Sequence, residues 1–340
     1  MSADRQRIET KMRSTFGLKR LPFSKDLGPD ELFLTEVFTQ AQDRLRYLVD
    51  RRGIGAVFGA PGTGKSTLLR AFLGGLGKAA YSVCYVSHST CAVLDLFREI
   101  ARGFAIDPRY RKADVIREVK ERIVKLSRSQ KMQPVLAIDD AHLLPTHVLD
   151  DLRLLTSFDA DSRDDLTMVL CGHPQLEANL RLAINEAIAQ RIVQRVRLRS
   201  LHPDEVDAYL RFRLELAGRS AKLFLPEASE AIARAARGVP RLVDRLAEHS
   251  MLIALRNKQT EIDTDVVTAG RAYAREHVGD RVGSQGGLQI DRPVRALAHG
   301  RGDDGAADDE RDRGGEDQLD QHRTSLVRLL RTRVCELTHG

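Results

Sequence analysis

Gly59-Ala60-Pro61-Gly62-Thr63-Gly64-Lys65-Ser66, followed by Thr67, has the spacing of a phosphate-binding loop, GxxxxGK[ST]. Each residue type has a job there. The glycines let backbone N–H groups close around a β-phosphate, and a helix beginning at the lysine adds its positive N-terminal dipole. Lys65 would reach the β- and γ-phosphates, and the Ser66 hydroxyl would hold Mg²⁺. A second acidic element must complete such a site. The apolar run Pro134-Val-Leu-Ala-Ile138 ends in Asp139-Asp140 and supplies it. Asp139 would bind Mg²⁺ directly or through water, and Asp140 would orient and polarise an attacking water.

The surrounding residues must build the strands and helices that aim these groups. Ile54-Gly-Ala-Val-Phe58 leads into the loop as a buried strand and Thr67–Leu73 leads out as a helix. Tyr81–Val86, Pro134–Ile138 and Leu166–Cys171 read as further strands, and the alternating Gln194–Leu198 as an edge strand. Apolar spacing predicts helices over 31–52, 92–101, 113–127 and about 146–158. Strands alternating with helices imply a parallel sheet covered on both faces. From Pro203 to about residue 277 the pattern is helical throughout, with helix starts at Pro203-Asp-Glu and Pro226-Glu. Residues 281–322 are rich in Gly, Asp and Arg and read as disordered. Residues 323–337 have the pattern of a short basic amphipathic helix. The abrupt change of composition also resembles out-of-frame translation of GC-rich DNA.

Composition narrows the function. The chain has 340 residues and a formal net charge of +6, compatible with nucleic acid without establishing it. Tryptophan is absent and aromatics are few, which does not suggest a base-stacking single-strand binder. The four cysteines have no CxxC spacing and the sequence shows no clustered histidines, so a disulfide framework or a metal site built from such residues is not expected. The N-terminus lacks the apolar stretch of a signal peptide, and no run approaches the ~18 apolar residues of a membrane span. A cytoplasmic location is the expectation.

Over roughly residues 10–278 the chain resembles the AAA+ ATPases. That implies an α/β fold of the P-loop NTPase (AAA+) type, a three-layer parallel sheet followed by a small all-helical lid domain and a disordered C-terminal tail. The boundaries would be 1–30 for an N-terminal lead-in near the nucleotide, 31–200 for the ATPase domain, 201–278 for the lid and 279–340 for the tail. ATP and Mg²⁺ are the implied ligands, held by Gly59 through Thr67 and by Ser66 with Asp139. Leu170-Cys-Gly-His-Pro-Gln-Leu176 resembles the sensor-1 strand end, with His173 reading the γ-phosphate. The alternative is that His173 merely caps the following helix. Ala189–Arg195 resembles the segment with an arginine finger, which a neighbouring subunit would insert to stabilise charge on the γ-phosphoryl. Arg191 is the choice there, Arg195 the alternative, and an ordinary surface arginine the third reading. Gly238-Val-Pro-Arg241 resembles the sensor-2 motif, from which Arg241 would reach the nucleotide.

Within that superfamily the resemblance is to ExeA-like ATPases and to transposition ATPases related to TnsC, TniB, IstB and MuB. Phe16–Ser24, Ala137-Ile-Asp-Asp-Ala-His-Leu-Leu144, Leu149–Leu155, Gly172-His-Pro-Gln-Leu176 and Gly238-Val-Pro-Arg241 carry it. Two positions depart from the pattern: Asp140 stands where Glu is usual, one methylene shorter, and His173 where Gln is usual. Secretion proteins of this kind continue into a membrane span and a peptidoglycan-binding region, and neither is expected from these residues. The transposition branch instead implies duplex DNA, a transposase partner and a homo-oligomer with ATP at subunit interfaces. Arg109 to Lys131, with nine Lys/Arg against three acids, would be the DNA-facing stripe. The alternative is a solvated face laced with pairs such as Glu118–Arg122 and Glu121–Lys125. Arg197, Arg199, Arg211 and Arg213 form a second basic group.

Overall fold

A computed structural model of the chain describes residues 3–28, 30–87, 92–158 and 163–277. Lys11–His277 forms one compact unit, which holds the sheet and the helices packed on it. The expected tail, 279–340, lies outside the described residues.

A five-stranded parallel sheet organises the first half of this unit. Its strands are β1 (Gly53–Gly59), β2 (Tyr81–Val86), β3 (Gln133–Ile138), β4 (Thr167–Gly172) and β5 (Ile192–Leu198), in the order β2-β3-β4-β1-β5. β1 and β4 are buried throughout, as strands packed on both faces must be. Alternation sends Ile54, Ala56 and Phe58 to one face and Val57 to the other.

The first face packs on α4 (Val93–Gly103), α5 (Lys112–Val124) and α6 (Thr146–Leu154) through Phe97, Ile100, Val119, Ile123 and Leu152. The second packs on α2 (Glu36–Arg51) and α3 (Lys65–Gly74) through Leu45, Leu48, Leu68 and Phe72. Three layers result, and β5 is an edge strand as its alternating pattern predicts. α7 (Pro174–Leu180) and the short α8 (Glu186–Ala189) connect β4 to β5.

The helix bounds differ from the periodic reading at several ends. α2 starts after Thr35, whose hydroxyl accepts the Phe38 N–H at 3.2 Å, and stops where Arg52 takes φ 64°. α5 ends at Val124 and runs into a π turn, Lys125–Ser129. α6 ends at Leu154, and Phe158 instead bridges to Arg163. Apolar spacing continues past each of these points, but the backbone no longer does.

Four helices follow: α9 (Pro203–Leu216), α10 (Pro226–Ala236), α11 (Pro240–Arg256) and α12 (Thr264–His277). The end of α1 (Ala3–Phe16), from Lys11 on, and the chain after it are part of this helical layer. Phe16, Leu18 and Phe23 enter the same core as Leu210, Leu214, Ile232 and Met251. Buried Arg213 fixes the segment, donating to the carbonyls of Pro22 and Ser24 at 2.7 Å each and pairing with Asp244 at 3.3 Å. The lead-in is therefore built into the helical domain. Among the described residues no helix is long and apolar enough to cross a membrane.

Candidate nucleotide site

In a parallel sheet ligands gather at the carboxyl ends of the strands, and here that edge collects the predicted residues. β3, β4 and β1 are adjacent, with Ile138 paired to Leu170 and Phe58 to Gly172. The residues that follow each strand, Asp139, His173 and the loop from Ala60, therefore emerge side by side.

The loop turns directly into α3, with Gly64 at the N-cap in a left-handed conformation (φ 96°). Lys65 is buried, and its Nζ donates to the carbonyls of Gly59 at 2.9 Å and Ala60 at 3.1 Å. An ammonium has three donors, so the loop fixes the side chain and a third N–H points elsewhere. Burial lowers the Lys65 pKa, and nearby Asp139 and Asp140 oppose that shift. Thr63 Oγ1 closes the turn by donating to Ala60 O at 2.8 Å.

Ser66 Oγ donates to Asp139 Oδ2 at 2.6 Å, although seventy-three residues separate the two. A hydroxyl and a carboxylate touching beside the phosphate loop form a hard-oxygen donor set. That set fits Mg²⁺, which takes one or two carboxylates together with substrate phosphates. Three donors hold Asp139 in place: Ser66, the Tyr85 hydroxyl at 3.1 Å on Oδ2, and the Asp140 N–H at 2.9 Å on Oδ1. Burial, with Asp139 next in importance, raises the Tyr85 and Cys171 pKa values, so both stay protonated beside the carboxylate.

Asp140 is half-buried and adopts a left-handed backbone, φ 50°. Its turn leads into Ala141–Leu143, which brings His142 against His173: the rings stack with centroids 3.8 Å apart. His173 occupies the N-cap of α7 but makes no side-chain capping bond. Burial lowers the pKa of both histidines. Lys65 pushes His173 down further, and Asp140 partly offsets the shift at His142.

The helical domain reaches the loop through the start of α11. Arg241 N–H donates to Gly62 O at 3.4 Å, and the arginine's charge is felt at both Lys65 and His173. Gly238 makes this approach possible. At φ 67° its carbonyl accepts the Leu201 N–H at 2.8 Å, and a Cβ there would lie 2.0 Å from Leu201 O.

Arg191 is not brought into this cluster. It precedes β5, whose first residue pairs with Ile54, whereas Leu198 pairs with Gly59 at the loop. The intervening strand spans about 20 Å at ~3.3 Å per residue. Arg195 lies midway, paired to Ala56. The basic segment after Arg109 is largely engaged. Arg109 pairs with Glu118 at 2.6 Å, Lys112 with Asp151 at 2.5 Å, and Arg117 with Glu121 at 3.0 Å. Arg122 donates to Phe104 O, Arg128 binds Asp165, and Lys120 lies over the Phe158 ring. These are other pairs than the expected Glu118–Arg122 and Glu121–Lys125.

Sequence reasoning assigned no role to Tyr85, His142 or Cys171. The available signals were a tyrosine one residue from the end of a strand, a histidine two residues beyond the acidic pair, and a cysteine closing a buried run.

The sheet order and the loop–carboxylate geometry are those of the P-loop NTPase fold. Residues 48–180 match the family model described as "AAA domain". The chain is 32% identical over 280 residues to General secretion pathway protein A of Aeromonas hydrophila. The match covers 81% of this chain and 50% of that protein, so the chain spans about half the length of the relative. Among solved structures, Cdc6p of Pyrobaculum aerophilum is similar with a TM-score of 0.59 and 19% identity, covering 74% of this chain and 70% of that one. The Aeropyrum pernix ORC2 protein in its ADPNP–ADP complexes gives 0.58 and 17%, covering 76% and 72%. The ORC1 protein of the same organism, in complex with DNA, gives 0.55 and 17%, covering 76% and 69%. These structural likenesses establish the fold.

Proposed function

We propose that the protein is a Mg²⁺-dependent ATPase in which nucleotide bridges the α/β domain and the helical lid. The observation that carries this reading is the Ser66–Asp139 contact beside the carbonyl-anchored Lys65. Gly59 through Thr67 would wrap the phosphates, with Ser66 and Asp139 holding the metal. Mg²⁺, when bound, neutralises charge on the β- and γ-phosphates. Asp140 would orient water and accept its proton, and His173 would face the γ-phosphate. Arg241 would follow the nucleotide from the lid. Arg191, remote from its own loop, would serve the site of an adjacent copy in a homo-oligomer.

The test is nucleotide binding and phosphate release by the purified chain, with and without Mg²⁺. ATP binding together with Mg²⁺-stimulated turnover, both lost in Lys65→Ala, is the expected result. Absence of nucleotide binding would overturn the reading.

A protein-directed task is the better account of what the ATPase drives. The relative named for the general secretion pathway supports it. The transposition reading, with duplex DNA and a transposase, draws on the basic segment from Arg109 to Lys131. Its support weakens because four of those nine cations form ion pairs within the fold. ATP-dependent, salt-sensitive binding of random duplex DNA would restore the transposition reading.

A further inference from the structure

Three observations meet at the corner between β3 and β4. First, His142 Nδ1 is buried and has no hydrogen-bond partner among the described residues, while Asp140 Oδ1 lies 3.9 Å from it. A buried polar atom left unpaired at a site of chemistry calls for an explanation. Second, the His142 ring stacks on that of His173 with an interplanar angle of 26°. Third, the contact is built into the backbone. A Cβ on Gly172 would lie 3.0 Å from the backbone nitrogen of His142, so glycine lets the two turns approach this closely without either giving way by a few tenths of an ångström.

Asp140, His142 and His173 also offer donor atoms within 4.8 Å of one another. Stacked rings, however, direct their in-plane lone pairs side by side and not to a common point, so the trio is not arranged as a chelate. The unpaired nitrogen is better matched to the carboxylate in front of it. A shift of about 1 Å would bring Nδ1 within hydrogen-bonding distance of Asp140. Such a shift would slide the His142 ring along that of His173, on which it is stacked.

We infer that His142 is a positioning residue for Asp140, and that its stacking on His173 carries a contact at the γ-phosphate end of the nucleotide to the carboxylate that orients water. The inference rests on the ATPase reading above. Asp140 is one methylene shorter than glutamate and sits in a left-handed turn, so its direction depends on what meets it from the side.

The test compares His142→Leu, which keeps bulk without a donor, with His142→Asn, whose amide nitrogen comes near the position of Nδ1. Leucine should lower kcat about 10- to 100-fold, since small misplacements near reacting groups cost that much. KM for ATP and the affinity for ADP should change less than about twofold, and asparagine should recover most of the rate. His173→Ala should lower kcat in the same way. In the wild type, the imidazole NMR signals of His142 should shift when ADP is exchanged for a non-hydrolysable ATP analogue, and His173→Ala should abolish that shift. Full kcat in the leucine variant, or equal losses with leucine and asparagine, would overturn the inference. So would an unmoved His142 signal, which settles the matter even if the variants fold poorly. A wild type that binds ATP without turnover would instead sink the ATPase reading. Turnover lost in Asp140→Asn but intact in His142→Leu would remove this inference alone.

Discussion

Lys65 illustrates how a single buried charge is held in place. A buried ammonium is costly unless its donors are satisfied, and the carbonyls of Gly59 and Ala60 satisfy two of them. Lys65→Ala should weaken ATP binding about 100-fold, because charge-assisted hydrogen bonds contribute roughly 1.5–3 kcal/mol each. Fluorescent-nucleotide titration would measure it, and near-wild-type affinity would contradict the assigned role. Asp139 differs in kind. Three protein donors already hold its carboxylate, so Asp139→Asn should leave ATP binding without Mg²⁺ nearly unchanged. The gain in affinity that Mg²⁺ brings should disappear, as the same titration with and without the metal would show.

At the level of elements, the connections between layers matter most. Gly238 lets the turn before α11 pass against Leu201. Gly238→Ala would force a Cβ to 2.0 Å from a carbonyl oxygen at a positive φ. It should cost about 2–4 kcal/mol, from strain plus displaced backbone. Thermal unfolding should show a midpoint lower by roughly 5–10 °C. An unchanged midpoint would mean that the turn is freely adjustable.

A second connection is Asp165, which precedes β4. Its carboxylate accepts from Arg128 at 2.5 Å and Ser127 at 2.9 Å, both in the π turn after α5, and Arg52 lies 3.5 Å away. Burial alone would raise its pKa, but hydrogen bonds from Arg128 and Ser127 outweigh burial and lower it. A depressed carboxylate contributes stability above its ordinary titration range and loses it as pH falls through the lower folded value. Asp165→Asn should therefore cost about 1–2 kcal/mol at neutral pH. The difference from wild type should shrink below about pH 4. Urea unfolding at several pH values would reveal a pH-independent difference if the pairing were unimportant.

For the whole molecule, the register of the sheet separates two groups of functional candidates. The loop, Asp139, Asp140 and His173 share the carboxyl edge, whereas Arg191 stands before β5 at the other. If Arg191 acts, it acts on another copy. Arg191→Ala should retain ATP binding but lose most turnover, and so should Asp140→Asn. Mixing the two inactive variants should restore part of the activity, because some interfaces then pair an intact arginine with an intact Asp140. Phosphate release from the mixture, compared with each variant alone, would decide it. No recovery would return Arg191 to an ordinary surface role.

Local spacing was enough to mark out the glycine-rich loop between a strand and a helix, the acidic pair after an apolar strand, the alternation of strands and helices, and the change to an all-helical second half. Backbone geometry and burial constrain those features residue by residue, so they are written along the chain. Other features depend on residues distant in sequence and left no local pattern. Tertiary structure alone decided that Ser66 touches Asp139, that Tyr85 reaches it from an edge strand, that His142 stacks on His173, and that Phe16–Phe23 enters the lid core. It also decided which acids neutralise the basic segment after Arg109, since Glu118 and Asp151 are selected by packing and not by helical spacing. The physical reason is the same in each case: a hydrogen bond, an ion pair or a ring contact needs two groups within a few ångströms, and the fold sets that separation.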